Sequence, residues 1–183
     1  METNTGIRII SGRQVKKKHL LEAIKLDELV YKEIYRVDPE VGFGFVNINP
    51  EIYIMAVDAS DSVIGYINFS PITKKMYEGI RSGDVIDSSI TPDDIEPYEN
   101  GRSYQFYFSS ICVHPDYRGR GVAGALLAEL KQFIKGLSER NIRIKRIVAD
   151  AVSDSGRNIL LKNGFVRIKD STHESTIMEK VYE

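Results

Sequence analysis

Arginine and glycine alternate at residues 118–121 of this 183-residue chain, immediately before a predicted helix that begins at Val122. Glycine permits a positive φ and lets a ligand approach the main chain closely. The unpaired N–H groups and the dipole of a helix start attract negative charge, and arginine adds cationic donors. Because Ala123 and Gly124 keep the first turn thin, the pattern predicts a site for a ligand that carries a diphosphate.

Two readings of these residues compete with that site. Residues 119–124 satisfy the spacing G-x-G-x-x-G of dinucleotide-binding proteins, and Asp150 ends the next predicted strand. However, residues 114–118 separate the motif from its strand, too few residues follow for a second βαβ half, and hairpin strands precede it. A dinucleotide-binding protein is therefore a remote alternative, as is a glycine-rich turn without a ligand.

The elements that would position this loop alternate between strand and helix patterns. Apolar periodicity predicts strands at 8–10, 52–57, 63–69, 104–113, 143–151, 165–168 and 176–181, and helices at 14–35, 122–138 and from Ser153 or Asp154 to 163. Residues 41–50 are predicted to form a loop, and residues 73–103 an insertion with a short helix at 92–98. The sequence therefore predicts a single mixed α/β domain over residues 1–183.

Composition narrows the class of protein. A net charge of −1 provides no electrostatic reason to bind nucleic acid or an anionic membrane. The lone cysteine, Cys112, excludes an internal disulfide and a cysteine-based metal cluster, and it is predicted to be a buried thiol. Met1–Thr5 are polar and no segment is apolar enough to span a bilayer, so we expect a cytoplasmic protein. We also expect no bound metal. The sequence does not decide whether the protein forms a homodimer.

The segment from Val113 to Ala123 resembles the acetyl-CoA motif of the GNAT superfamily of N-acetyltransferases. The motif R/Q-x-x-G-x-G/A is matched at Arg118, Gly121 and Ala123, and Gly164-Phe165 resembles the closing Gly-Phe of the family. The resemblance is firm from about residue 100 to the C-terminus and looser before it. It implies a mostly antiparallel sheet of six to seven strands, flanked by helices and splayed at the strands that end near Val113 and Ala151.

The resemblance also implies a chemistry. The cofactor would be acetyl-CoA, and the acyl group would pass to a primary amine by direct attack in a ternary complex. The main chain at Ile111, Cys112 and Val113 would pair with the pantetheine arm, and an N–H near Val113 would stabilise the oxyanion. The pyrophosphate would bind to Arg118, Gly119, Arg120, Gly121, Val122, Ala123 and Gly124.

Proton transfer is where the chain departs from the family pattern. Tyr107 and Ser109 occupy the positions of the usual general base, and a phenol has a pKa of about 10. Leu160 replaces the usual tyrosine acid. Either the thiolate leaves without an acid, or other groups act through water. The catalytic candidates are Tyr107 and Asp150, with His114 and His173 as weaker ones because both are predicted to be exposed.

The alternative function is a CoA-binding regulatory domain that has lost turnover. The absence of the usual tyrosine at Leu160 is the reason for considering it.

The acceptor is the least defined part of the prediction. The insertion contains more acidic than basic residues: Glu78, Asp84, Asp87, Asp93, Asp94, Glu96 and Glu99 against Lys74, Lys75, Arg81 and Arg102. An acidic wall would attract a cationic amine, but the same residues are equally typical of a solvated surface. The aromatic segment from Tyr31 to Phe45 is a second candidate for the acceptor wall.

Overall fold

A computed structural model of the chain describes residues 6–182. The polar residues Met1–Thr5, on which the expected location partly depends, lie outside the described residues. Its strands are β1 (Arg8–Ser11), β2 (Tyr53–Val57), β3 (Val63–Ile72), β4 (Ser103–Val113), β5 (Arg143–Ala151), β6 (Val166–Asp170) and β7 (Thr176–Val181). Its helices are α1 (Lys17–Val30), α2 (Pro39–Ile48), α3 (Lys74–Ser82), α4 (Val122–Glu139) and α5 (Asp154–Lys162). None of these helices is both long enough and apolar enough to cross a membrane.

The seven strands form one sheet in the order β1-β2-β3-β4-β5-β7-β6. Neighbouring strands are antiparallel except β4 and β5, which are parallel. The last residue pair between β4 and β5 is Phe108–Ala149, although β4 continues to Val113. The predicted mixed, mostly antiparallel sheet with a splay between these two strands is therefore confirmed.

A β-bulge lies in β4 where the splay begins. The register with β3 shifts between Asn68, which pairs with Ser110, and Phe69, which pairs with Phe108. Ser109 is the extra residue on the β4 side. A bulge bends its strand and increases the local twist. It therefore helps to turn the C-terminal half of β4 away from β5, and this opens the sheet at the position where the site lies.

Several predicted elements are wrong in their type or bounds. Residues 41–50, predicted as a loop, belong to α2, which begins where Asp38 caps the amides of Glu40 and Val41 and Pro39 occupies the first turn. The glycines at 42 and 44 obscured this signal because glycine disfavours helix interiors. The insertion contains the unpredicted helix α3, whereas the helix predicted at 92–98 is only a 3-10 turn at Pro92–Asp94.

Apolar side chains cover both faces of the sheet. On one face, α4 and α5 enclose a core that contains the stacked rings of Phe69 and Phe106, whose centroids lie 4.5 Å apart. On the other face, α2 and α3 cover Tyr107 and Val148, which are paired neighbours on β4 and β5. Alternation along β5 places Asp150 on the same face as Val148. Polar side chains therefore reach the splay from this second face.

Candidate functional site

A cavity of about 860 Å³ occupies the splay between β4 and β5. One end is lined by the residues of the predicted diphosphate loop, among them Arg118, Gly119 and Gly121. The other end is lined by residues of α1, the insertion and β5, among them Asp27, Asp87 and Asp150. We call the two ends the donor end and the acceptor end, after the acetyl donor and the amine acceptor that the sequence resemblance implies.

The donor end is built from main chain. Gly119 and Gly121 have φ values of +73° and +82°, which L side chains rarely adopt, and a Cβ at either position would have no heavy atom within 4 Å. Gly121 is also the N-cap of α4, and the amides of the first helical turn have no partner within the helix. The loop therefore presents N–H groups to open space, which suits a diphosphate.

Two arginines flank these amides. Arg118 is exposed and its Nε donates to the carbonyl of Val113 at 3.3 Å. The guanidinium of Arg120 lies 5.2 Å from the ring centroid of Tyr117, whose hydroxyl donates to Asp58 at 3.2 Å. Both cations are thus held near the helix start. Among the described residues, no carboxylate forms an ion pair with either of them. They remain able to bind an anion.

The position of the helix start depends on Gly65 in β3. A Cβ on this residue would lie 2.8 Å from the carbonyl oxygen of Cys112 and 3.1 Å from Cγ1 of Val122, the first residue of α4. The absence of a side chain lets α4 approach β3 and β4 closely. The donor amides are therefore held at a fixed distance from the C-terminal half of β4.

The main chain of β4 supplies further polar groups to the cavity. The amide of His114 donates to Ile64 on β3, so alternation directs the main chain of Cys112 towards β3 as well. The main chain of Ile111 and Val113 is directed to the opposite side, towards the splay. Ile111 and Val113 can thus pair with an extended ligand. The prediction that the main chain of Cys112 does so too is wrong, because that main chain pairs with β3. The prediction of a buried thiol is confirmed, and burial raises the pKa of the Cys112 thiol to about 12.

The structure brings Asp150 and His173 together. Nε2 of His173 lies 2.9 Å from Oδ2 of Asp150, and the two side chains are only 14% and 5% exposed. The prediction that His173 is solvated is wrong, because the loop between β6 and β7 folds back over the end of β5. The other oxygen of Asp150, Oδ1, is buried without a hydrogen-bond partner among the described residues.

Tyr107, the second catalytic candidate, contacts a residue of the insertion. Its hydroxyl donates to Oδ1 of Asp87. Burial raises the pKa of Tyr107 well above its usual range, and the negative charge of Asp87 adds to the shift. The pKa of Asp87 is itself raised to about 7, mainly by burial and further by the charge of Asp150. Of this pair, Asp87 is the group that changes charge near neutral pH.

A third carboxyl, that of Asp27, lines the same cavity. The hydroxyl of Tyr66 donates to Asp27, and burial raises the pKa of Asp27 to about 6. Its place in the sequence contained a signal, because Asp27 interrupts the apolar face of α1. The position of Asp87 contained no such signal, because it is one of several acids in the insertion. The structure shows that, among the acids named there, it alone lines the cavity.

Two loops meet at the mouth of the acceptor end. The hydroxyl of Tyr35, which follows α1, donates to the carbonyl of His173 at 2.6 Å. Lys32 and Glu174 form a strongly exposed ion pair at 3.9 Å beside it. Thr172 fixes the second loop to the end of α3 through two bonds to the carbonyl of Gly83. Part of the aromatic wall predicted at 31–45 therefore does border the cavity.

Three other residues of the sequence analysis have defined places. Leu160 is 4% exposed and packs in the core beside the cavity, where it provides no proton. Ser153 caps α5 by accepting from the amide of Gly156 at 3.1 Å. His114 accepts from the amide of Asp116 at 3.2 Å, which is a structural role in the turn before the diphosphate loop. In residues 6–182, no group of three or more His, Cys, Asp or Glu side chains is arranged to hold a metal ion.

The comparisons with known proteins agree with this geometry. Residues 49–167 match the family model described as an acetyltransferase (GNAT) domain, which is more than half of the chain. Among curated proteins, none matches the chain significantly in sequence.

Solved structures with the same fold cover nearly the whole chain. The loading GNATL domain of CurA from Lyngbya majuscula has a TM-score of 0.65 at 13% identity, covering 96% of this chain and 97% of that one. A chain of the NatC complex bound to Gag peptide and CoA has a TM-score of 0.64 at 17% identity, covering 97% and 99%. The paia N-acetyltransferase from Thermoplasma acidophilum, in complex with coenzyme A, has a TM-score of 0.56 at 16% identity, covering 96% and 99%.

Proposed function

Since the chain belongs to the GNAT acetyltransferase family, we propose that it transfers an acetyl group from acetyl-CoA to a primary amine. The observation that carries the proposal is the single cavity between β4 and β5, which joins a loop suited to a diphosphate with a set of buried carboxyl groups. The first feature suits the donor, and the second suits an amine acceptor. Their meeting at the splay would let donor and acceptor react directly.

The chemistry of the donor end supports CoA as the ligand. The amides from Gly119 to Gly124 and the guanidinium groups of Arg118 and Arg120 would bind the pyrophosphate. The main chain of Ile111 and Val113 would pair with the pantetheine arm, because it is directed into the splay. CoA is also bound in two of the similar structures, which supports the same ligand for this chain.

The reaction would be a direct acyl transfer. The amine nitrogen forms a bond to the thioester carbon, the carbon–sulfur bond then breaks, and the amine loses one proton while the CoA thiolate gains one. A fixed N–H of Val113 would stabilise the oxyanion. The rest of the rate enhancement would come from holding the two reactants at the splay.

The acceptor end offers two routes for the proton that the amine loses. Asp150 would accept it directly, with His173 fixing the orientation of the carboxylate. Asp87 would accept it with Tyr107 as the contact between it and the amine, and its pKa of about 7 suits a base near neutral pH. Tyr107 and Asp150 thus remain the proposed catalytic residues, and Asp87 is added to them.

A CoA-binding regulatory domain is the second candidate function. Leu160 favours it, because an apolar side chain occupies the place of the family's usual proton donor. The buried carboxyl groups favour the enzyme, since burying a carboxylate oxygen without a partner is unfavourable and a domain that only binds CoA has no use for it.

The test is thiol release from acetyl-CoA across a panel of primary amines, with mass spectrometry of the acetylated product. We expect release that depends on the amine and yields an amide. CoA binding measured by calorimetry without turnover on any amine would favour the regulatory domain. Absence of both binding and turnover would reject both candidates.

A further inference from the structure

The acceptor end contains more negative than positive charge. Asp27, Asp87 and Asp150 line it, and Glu174 lies at its mouth. The lysine and arginine residues among the lining residues are Lys32, which is 76% exposed and pairs with Glu174, and Arg118 at the donor end. The three inner carboxyl groups therefore have no lysine or arginine beside them among the residues that line the cavity.

Arg36, a cation outside the lining, acts on one of these carboxyl groups without reversing the balance. Arg36 lowers the pKa of Asp27, but burial outweighs its effect and the pKa remains raised. The N–H groups of Arg36 donate to the carbonyls of Tyr31 at 2.9 Å and Glu28 at 3.2 Å. His173 contacts Asp150 through one oxygen only. The arrangement thus lacks a counter-charge that a bound molecule could provide.

Asp150 provides a second, independent observation. Its side chain is 5% exposed, it lines the cavity, and Oδ1 has no hydrogen-bond partner in the described part of the chain. Buried polar atoms are normally paired, and an unpaired one usually indicates a missing ligand, ion or water. The partner of a carboxylate oxygen must be a donor, and a cationic donor gives the stronger bond.

The two carboxyl groups lie at different places along the splay. Asp150 follows Ala149, which forms the last pair with β4, so it lies where the strands separate and where the thioester would be. Asp87 contacts Tyr107, which pairs with Val148, further from the donor end. An acceptor lying along this face of the sheet would meet both carboxyl groups, one near the reacting centre and one beyond it.

We propose that the acceptor is a linear molecule with two amino groups, of which one reacts beside Asp150 while Asp87 binds the other as an ammonium. This inference rests on the proposed function, because it identifies the substrate class of the same site. Of the two proton routes given there it uses the one through Asp150, so that Asp87 stays ionised and binds the second amino group. Asp27 adds negative potential along the route. A molecule with one amino group would leave one of the two carboxylates without a counter-charge.

The experiment is calorimetric titration of the CoA-loaded protein with linear diamines of three to eight carbons and with monoamines of the same lengths. We expect the best diamine to bind at least about tenfold more tightly than its monoamine, since a desolvated charge pair contributes that much or more. Asp87→Asn should remove most of this preference. Asp93→Asn, an exposed acid in the same insertion, should leave the preference unchanged.

Each result decides the proposal. Equal affinity for diamines and monoamines, no binding of any diamine, or an unchanged preference in Asp87→Asn would overturn it. The comparison on the unaltered protein does not depend on how the variant folds. A protein that acetylates monoamines as well as diamines keeps the proposed function and loses this inference. Tighter binding of diamines without thiol release would remove the proposed function and leave only two-point binding of a diamine.

Discussion

The donor end and the acceptor end of the cavity are built in different ways. The donor end is a continuous stretch of chain, Arg118 to Gly124, that uses backbone amides, two positive-φ glycines and a helix start. The acceptor end gathers side chains from α1, the insertion, β4, β5 and the loop after β6. A site made of main chain is tied to a short motif, whereas a site made of dispersed side chains can change its ligand by single substitutions.

The largest expected effect is on turnover at the acceptor end. Asp150→Asn should lower kcat by about a hundredfold to ten-thousandfold, the usual contribution of a positioned general base. CoA affinity should stay the same, because Asp150 does not contact the donor loop. Thiol-release kinetics and calorimetry with CoA measure the two quantities. Asp84→Asn, an exposed acid outside the cavity, is the control. Equal turnover in both variants would exclude Asp150 from the chemistry.

The next effect is on stability as a function of pH. The pKa of Asp87 is raised from 3.8 to about 7 in the folded chain, so the native state binds its proton more readily than the unfolded state does. Stability contributed by this group is therefore present at about pH 4 and is lost as the pH rises to about 7. Asp87→Asn should remove this dependence and gain about 1 to 3 kcal/mol over the unaltered protein between pH 5 and pH 8.

Urea unfolding at pH 5 and at pH 8 measures the difference in the free energy of unfolding between Asp87→Asn and the unaltered protein. Asp93→Asn provides the matched control, because it removes an exposed carboxyl from the same insertion. Parallel stability changes in Asp87→Asn and the unaltered protein would show that Asp87 keeps an ordinary pKa, and it would then not suit a base near pH 7.

The smallest effect concerns the donor end. Gly121→Val should lower CoA affinity by about tenfold to a hundredfold, because a β-branched side chain disfavours the φ of +82° that directs the amides. Gly136→Val is the same substitution in the interior of α4, where a Cβ has open space and no positive φ is needed. Diamine binding to the CoA-free protein should be unaffected in both. Unchanged CoA affinity in Gly121→Val would contradict the assignment of the loop.

The predictability of the molecule follows the same division. The strands at 143–151 and 176–181 and the start of α4 at Val122 agree with the structure, because strong apolar periodicity and glycine signals define them locally. The motif at Arg118 to Ala123 identified the family for the same reason. The approach of Asp87 to Tyr107 depends on how residues 83–102 fold after α3, and the helical elements of this stretch are short 3-10 turns whose positions no periodic pattern fixes.

His173 is a second residue whose place in the site could not be predicted from its neighbours in the sequence. Its polar neighbours are typical of an exposed loop, and the local prediction was wrong because Thr172 and Tyr35 hold that loop over the end of β5. Such long-range contacts between side chain and main chain leave no local pattern in the sequence. Contacts of this kind decide which acids of a solvated-looking segment enter a cavity.

Gly65 shows that the CoA motif does not by itself define the donor site. It stands on a different hairpin, far from the motif in sequence, yet one added methyl group there would meet both Cys112 and Val122 at less than 3.2 Å. A descendant of this chain that kept every residue from Arg118 to Gly124 but carried alanine at position 65 would shift the loop relative to β4, the strand proposed to pair with the pantetheine arm. In this fold, a lineage can therefore inherit the motif intact and lose the activity through one substitution of glycine by alanine at position 65.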